Sequence, residues 1–220
     1  MTTPGLRERK KQQVRERISG IATMLFFERG FEAVSVAEIA EAAGVSKMTV
    51  FNYFPRKEDM FFDRVPEFAE MITSAVRGRS SRQSAPDALR DMWLGLLDQR
   101  HALSGLPSDN IVHFYRVVLA SPALRARVRE ALEEVEALVA GLFAEAGQAR
   151  PEMTAALVVA AARVCYVAAA RRVLSGEPIE SFAAEQRASI AAAWDAAVAA
   201  ASPLAGSQSS REIAIGGQER

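Results

Sequence analysis

The stretch SVAEIAEAAGVSKMTVFNYFPRK, residues 35–57, decides how the rest of the chain is read. Ser35 suits a helix N-cap, and Val36, Ile39, Ala40 and Ala43 follow it at steps of three and four, so one face of a short helix is apolar. Gly44 supplies the left-handed conformation that ends a helix most easily. Ser46, two residues later, is a second N-cap and opens a helix over Lys47 to Tyr53. Pro55 closes that helix, because the residue before a proline avoids the α region. Two short helices around a tight glycine-containing turn make a helix-turn-helix pattern.

Outward from this stretch the chain is helical throughout. A first helix is predicted over about Arg7 to Arg29, with Val14, Ile18, Ile21, Ala22, Leu25 and Phe26 on one stripe. A fourth runs from near Lys57 to about Arg77, kinked or delayed by Pro66. The polar run 78–84 is a linker. Further helices are predicted from Pro86 to about Leu103, from Pro107-Ser108-Asp109 to about Leu119, from Ser121-Pro122 to about Ala146, from Pro151 to near Ser175, and from about Pro178 to Ala201. The expectation is an all-α fold of about nine helices, with no strand ladder. Its parts are a basic N-terminal arm (1–10), a helix-turn-helix domain (11–70), a second helical domain (71–202) and a disordered Ser/Gly/Gln-rich tail (203–220).

Bulk composition narrows the function. The net charge over 220 residues is zero, which excludes wholesale coating of nucleic acid. Charge is uneven, however. Arg7, Arg9, Lys10, Lys11, Arg15 and Arg17 face only Glu8 and Glu16 nearby, which points to a local anionic contact. The single cysteine, Cys165, excludes an intrachain disulfide and a cysteine-rich metal site. No signal-type apolar run opens the chain. The apolar stretch 155–170 is interrupted by Arg163 and reads as too short and too polar for a membrane span. These features predict a cytoplasmic protein with no membrane contact, no metal and no cofactor.

The second short helix carries the chemistry. Val50 and Phe54 belong on its packed side, while Lys47, Met48, Thr49, Asn52 and Tyr53 point outward or sideways. A lysine, a hydroxyl, an amide and a phenol on one exposed face suit a DNA major groove. Lys57 near the next helix start, and the backbone N–H groups of Ser35 and Val36, suit phosphate.

These residues resemble the N-terminal domain of the TetR family of bacterial transcriptional regulators. The resemblance rests on four stretches in order: Leu25-Phe26-Phe27-Glu28-Arg29-Gly30-Phe31; residues 36–46 (VAEIAEAAGVS); Thr49-Val50-Phe51-Asn52-Tyr53-Phe54; and Lys57-Glu58-Asp59-Met60-Phe61. It covers residues 11 to 70. It implies a homodimer whose recognition helices enter successive major grooves of a near-palindromic double-stranded operator. By position, Ser46, Lys47, Met48 and Thr49 open the base-facing helix, Phe51 and Tyr53 lie against the backbone, and Lys57 meets a phosphate. Phe51 stands where members often carry tyrosine, and Ala37 replaces a polar residue that some use for base contact. The basic arm, Arg7 to Lys11, is expected to compensate in part by gripping the flanking backbone or the minor groove.

The resemblance further implies that the last two helices, rich in small residues, pair with their symmetry mates, and that the middle helices enclose a small-molecule effector. Trp93, Leu97, His101, His113, Phe114, Arg116, Val117, Val135, Leu138, Leu142, Arg163, Cys165 and Tyr166 are the candidate lining. Arg163 is singled out because an arginine in an apolar stretch needs a partner or an anionic ligand. The function implied is a ligand-released repressor, with an activator of the same family as the alternative. An enzyme using Cys165 with His101 or His113, and a helical adaptor, are the competing classes. Cys165 lies in an apolar helix where a nucleophilic cysteine does not belong.

Overall fold

The computed structural model describes residues 5–104 and 110–202, and among them the protein is all-helical. Its ten α-helices are α1 (Leu6–Arg29), α2 (Val36–Ala42), α3 (Lys47–Tyr53), α4 (Glu58–Phe61), α5 (Val65–Arg77), α6 (Ala85–Asp98), α7 (Ile111–Ala120), α8 (Pro122–Glu145), α9 (Pro151–Leu174) and α10 (Ala183–Ala201). Single 3-10 turns lie at Ala102–Ser104 and Ile179–Ser181. The expected helix start at residues 107–109, the tail 203–220 and the first four residues of the basic arm lie outside the described residues.

The count of ten rather than about nine has one cause. The predicted fourth helix is two helices, α4 and α5, with a bend over residues 62–64 and Pro66 in the first turn of α5. Proline fits there because it has no N–H to leave unbonded. The basic residues 7 to 11 form the first turns of α1, where the first helix is expected to begin.

Serines start the helices that matter most. The hydroxyls of Ser35, Ser46, Ser84 and Ser121 accept from the N–H groups of Glu38, Thr49, Asp87 and Leu124, and so cap α2, α3, α6 and α8. Gly44 closes α2 at φ 62°, with Val45 N–H donating back to the Ala40 carbonyl at 2.9 Å. That geometry lets α3 begin two residues later at a new angle.

Three apolar clusters make the core. The first gathers Ile18, Ala22, Phe26, Phe31, Val34, Ile39, Val50, Phe54, Met60 and Phe61 from α1 to α4, together with Val117 of α7 and Leu124 of α8. The second joins α5, α6, α8, α9 and α10 around Ile72, Leu89, Phe143, Val158 and Trp194. The third lies between α6, α7, α9 and α10 around Leu97, Tyr115, Cys165, Phe182 and Ile190. Phe114 packs against both the first and the third, and its ring stacks on Phe61 at 4.9 Å, nearly parallel.

The apolar stretch 155–170 is part of a 24-residue helix, α9, which by length and composition is able to cross a bilayer. Here α9 packs between α8 and α10, which explains its apolarity. One side of it, with Met153, Ala160, Val164, Val167 and Ala168, remains exposed.

Candidate nucleic-acid interface

The α2–turn–α3 unit is held from below and open above. Val50 and Phe54 are fully buried, as are Ile39 and Ala40 of α2. Opposite them, Lys47, Met48, Phe51 and Asn52 are exposed, Met48 by 68% and Phe51 by 46%. Among the described residues Lys47 has no ion-pair partner, so no carboxylate neutralises its ammonium. Thr49 is half-buried, and its hydroxyl shares a 2.9 Å hydrogen bond with that of Ser46, which orients it along the first turn of α3. Tyr53 is half-buried against the first core cluster and Ala37 is half-buried on α2.

The start of α2 is more elaborate than its N-cap serine implies. The Ser35 N–H donates to the Glu38 carboxylate at 2.8 Å while the Ser35 hydroxyl accepts from the Glu38 N–H, a reciprocal capping box. Arg29 closes on the same carboxylate at 2.8 Å and donates to the Ala33 carbonyl. The Ser35 backbone and hydroxyl, and then Arg29, hold the Glu38 carboxyl down at about 2. The Ser35 N–H is therefore not open to a phosphate; at this helix start, the exposed N–H groups belong to residues 36 and 37. The S-x-x-E spacing of residues 35–38 is the sequence signal for this box.

Lys57 is also placed differently. Its ammonium donates to the Phe31 carbonyl at 2.5 Å and sits 4.0 Å above the Phe31 ring, so it pins the α1–α2 loop from inside. Half-burial pushes this lysine below its ordinary value, and Glu32, Glu58 and Glu38 pull it back. Its charge is committed to the fold before any DNA arrives. On the other flank, the Arg15 guanidinium lies 4.4 Å over the Phe54 ring and donates to the Asp63 carbonyl at 2.9 Å, tying α1 to the end of α4.

The expected effector residues are spread over the three apolar clusters. Val135, Leu138 and Leu142 belong to the second cluster, Leu97, Cys165 and Tyr166 to the third, and Val117 to the first, while Trp93 bridges the second and third and Phe114 the first and third. His113 and Arg116 are exposed, and the His113 ring lies tilted against Phe27 of α1 at 5.8 Å. Arg163 is exposed on the outer side of α9, so it needs no buried partner; helix rotation, invisible in an apolar run, put it there. A surface depression of about 440 Å³ lies between residues 79–85 and 146–148 and is lined by Arg79, serines and Gln148.

Inside the third cluster Tyr115 and Tyr166 meet edge to face at 5.6 Å and share a hydrogen bond, and burial pushes both phenols up. Trp93 leaves its indole N–H buried and without a hydrogen-bond partner. Cys165 is buried, burial pushes its thiol up, and the exposed His113 offers it no base. Among the described residues no group of three or more potential metal ligands forms.

Residues 21–63 match the family model for bacterial regulatory proteins of the TetR family. The chain is 28% identical over 143 residues to the HTH-type transcriptional regulator TcmR of Streptomyces glaucescens, covering 64% of this chain and 63% of that protein. It is 24% identical over 136 residues to the nucleoid occlusion factor SlmA of Haemophilus influenzae, covering 61% and 62%. The matched stretch thus spans somewhat less than two thirds of these curated relatives. Among solved structures, NalD of Pseudomonas aeruginosa, the secondary repressor of the MexAB-OprM multidrug efflux pump, superposes with a TM-score of 0.54 at 18% identity, over 83% of this chain and 97% of that one.

Proposed function

Since the chain belongs to the TetR family of bacterial regulatory proteins, we propose that it is a sequence-specific DNA-binding transcriptional regulator of the cytoplasm. The observation that carries this reading is the exposed face of α3. Lys47, Met48 and Asn52 stand clear of a buried Val50–Phe54 anchor, with no competing acid on the lysine among the described residues. Lysine donates to guanine acceptors, asparagine pairs with adenine, and methionine offers apolar contact to a thymine methyl. An α-helix with its side chains is about 10–12 Å across, which fits a groove about 12 Å wide.

The functional unit is a homodimer through α9 and α10. The exposed stripe of Val164 and Val167 on α9, beside exposed Ala188, Ala192 and Ala196 on α10, offers small and apolar surface for close helix approach. A two-fold dimer presents two α3 helices to a near-palindromic operator. Repression is the mode proposed, as in NalD, the secondary repressor of a multidrug efflux pump. Release follows when an uncharged small molecule enters the second-domain core, where the Trp93 indole N–H offers an unpaired donor.

The test is selection of bound duplexes from a randomised library by the wild-type chain, followed by a gel shift against the DNA upstream of its own gene. Enrichment of a two-fold symmetric sequence supports the reading. Failure to enrich any sequence, with a folded dimer in hand, overturns it.

A further inference from the structure

The base of the reading head is tied to α8 by charged groups that DNA contact does not use. Arg127 of α8, with a side chain only 9% exposed, donates to Asp59 of α4 at 3.0 Å and to Glu134 at 3.0 Å. Arg56, in the turn after α3, meets Glu130 of α8 at 2.6 Å and Asp59 at 3.5 Å. Six residues before Arg127, Ser121, the cap of α8, donates to Glu32 in the α1–α2 loop at 2.6 Å. Ser121 and Arg127 are about 9 Å apart along the α8 axis, so the head is held at two separated points and cannot pivot about one.

The arginine is buried while its acids keep contact with water, 23% exposed for Asp59 and 54% for Glu134; such a pair is weak glue, because desolvation and screening offset most of its attraction, and its best-attested use is to fix one arrangement among several similar ones. The apolar side of this junction, the stacked Phe61 and Phe114 rings with Val117 and Leu124, is held by contacts that have no directional requirement. The ionic side has one. α8 in turn packs along the length of α9, whose outer face is proposed above as the dimer surface. The tilt of each head on α8 therefore sets the separation of the two recognition helices.

We propose that Arg127 is a positioning residue for DNA binding: clamped between Asp59 and Glu134, it sets the half-site spacing that the dimer accepts. This rests on the proposed DNA-binding dimer and adds a determinant of operator geometry outside the recognition helix.

The experiment compares the full-length wild type with Arg127→Met, Asp59→Asn and the double variant. The probes are the duplex selected by the wild type and its versions with one base pair added or removed between half-sites. Melting temperature and circular dichroism are recorded in parallel; Asp59→Asn keeps its shape and is the variant whose folding is safest. The expected result is unchanged preference for the half-site sequence, with discrimination between spacings reduced by roughly threefold or more, and a double variant no worse than Arg127→Met. Folded variants that keep wild-type spacing discrimination overturn the proposal while leaving the DNA-binding reading intact. A folded wild-type dimer that selects no duplex overturns both.

Discussion

Replacing Lys57 with methionine separates two roles for one charge. In the structure the Lys57 ammonium donates to the Phe31 carbonyl and lies over the Phe31 ring. A hydrogen bond from a charged donor contributes about 1.5–3 kcal/mol, and the ring contact at a partly exposed site about 0.5–1 kcal/mol. Methionine keeps most of the aliphatic packing and removes the cost of half-burying a charge, so the net loss for Lys57→Met is about 2 kcal/mol. In a chain of this length that lowers Tm by roughly 4–8 °C. The assays are thermal unfolding and the salt dependence of operator affinity. Because the charge is already engaged inside the protein, the slope of log K against log salt stays at the wild-type value. An unchanged Tm, with the slope flattened by about 0.9 for each phosphate no longer neutralised, refutes the internal pin and returns Lys57 to the DNA backbone.

Three other substitutions test the remaining readings. Lys47→Ala is expected to weaken operator binding roughly tenfold and relax base preference, while stability, measured by denaturant unfolding, moves by less than about 0.5 kcal/mol; intact affinity and preference would mean that α3 does not read bases through this face. Glu38→Gln is expected to flatten acid unfolding. A carboxyl held at about 2 in the folded chain contributes stability above its ordinary value near 4.5, and loses it as pH falls from there toward 2, so superimposable acid profiles would remove the capping box from the account. Val164→Asp, on the outer side of α9, is expected to leave helicity intact and shift sedimentation from dimer to monomer; a persisting dimer excludes the α9 face as its interface.

Much of the fold is legible in the sequence because its punctuation is chemical. Ser35, Ser46 and Ser121 cap the helices expected of them, Gly44 turns between α2 and α3, and Pro151 opens α9. The break after Phe61 is harder to read, since Pro66 is as compatible with a kink as with a new first turn. On α3 the buried pair Val50 and Phe54 distinguishes the packed side from the open one. On α9 the same reasoning fails: the helix is apolar almost all round, so periodicity does not say which side meets α8 and α10, and Arg163, expected to face inward, faces out. Lys57 and Arg127 show the other limit. Both are cations on polar-looking faces, and only the fold reveals that their partners lie 26 and 68 residues away, at Phe31 and Asp59.

Val117 and Leu124 complete the core of the reading head from the far side of the linker, and Phe114 stacks upon it. The first 77 residues are thus an unfinished object when considered by themselves. Grafting them onto a foreign sensory domain would leave Phe61 facing water unless the recipient brings an equivalent aromatic and two aliphatic residues at the same places. The portability of such a module is decided by side chains that no comparison of DNA-binding segments would include: Phe114, Val117 and Leu124 for its core, and Ser121, Arg127 and Glu130 for its polar ties. Recombination among these regulators is then expected to succeed where the break points fall after Glu134 and to fail where they follow the apparent domain boundary.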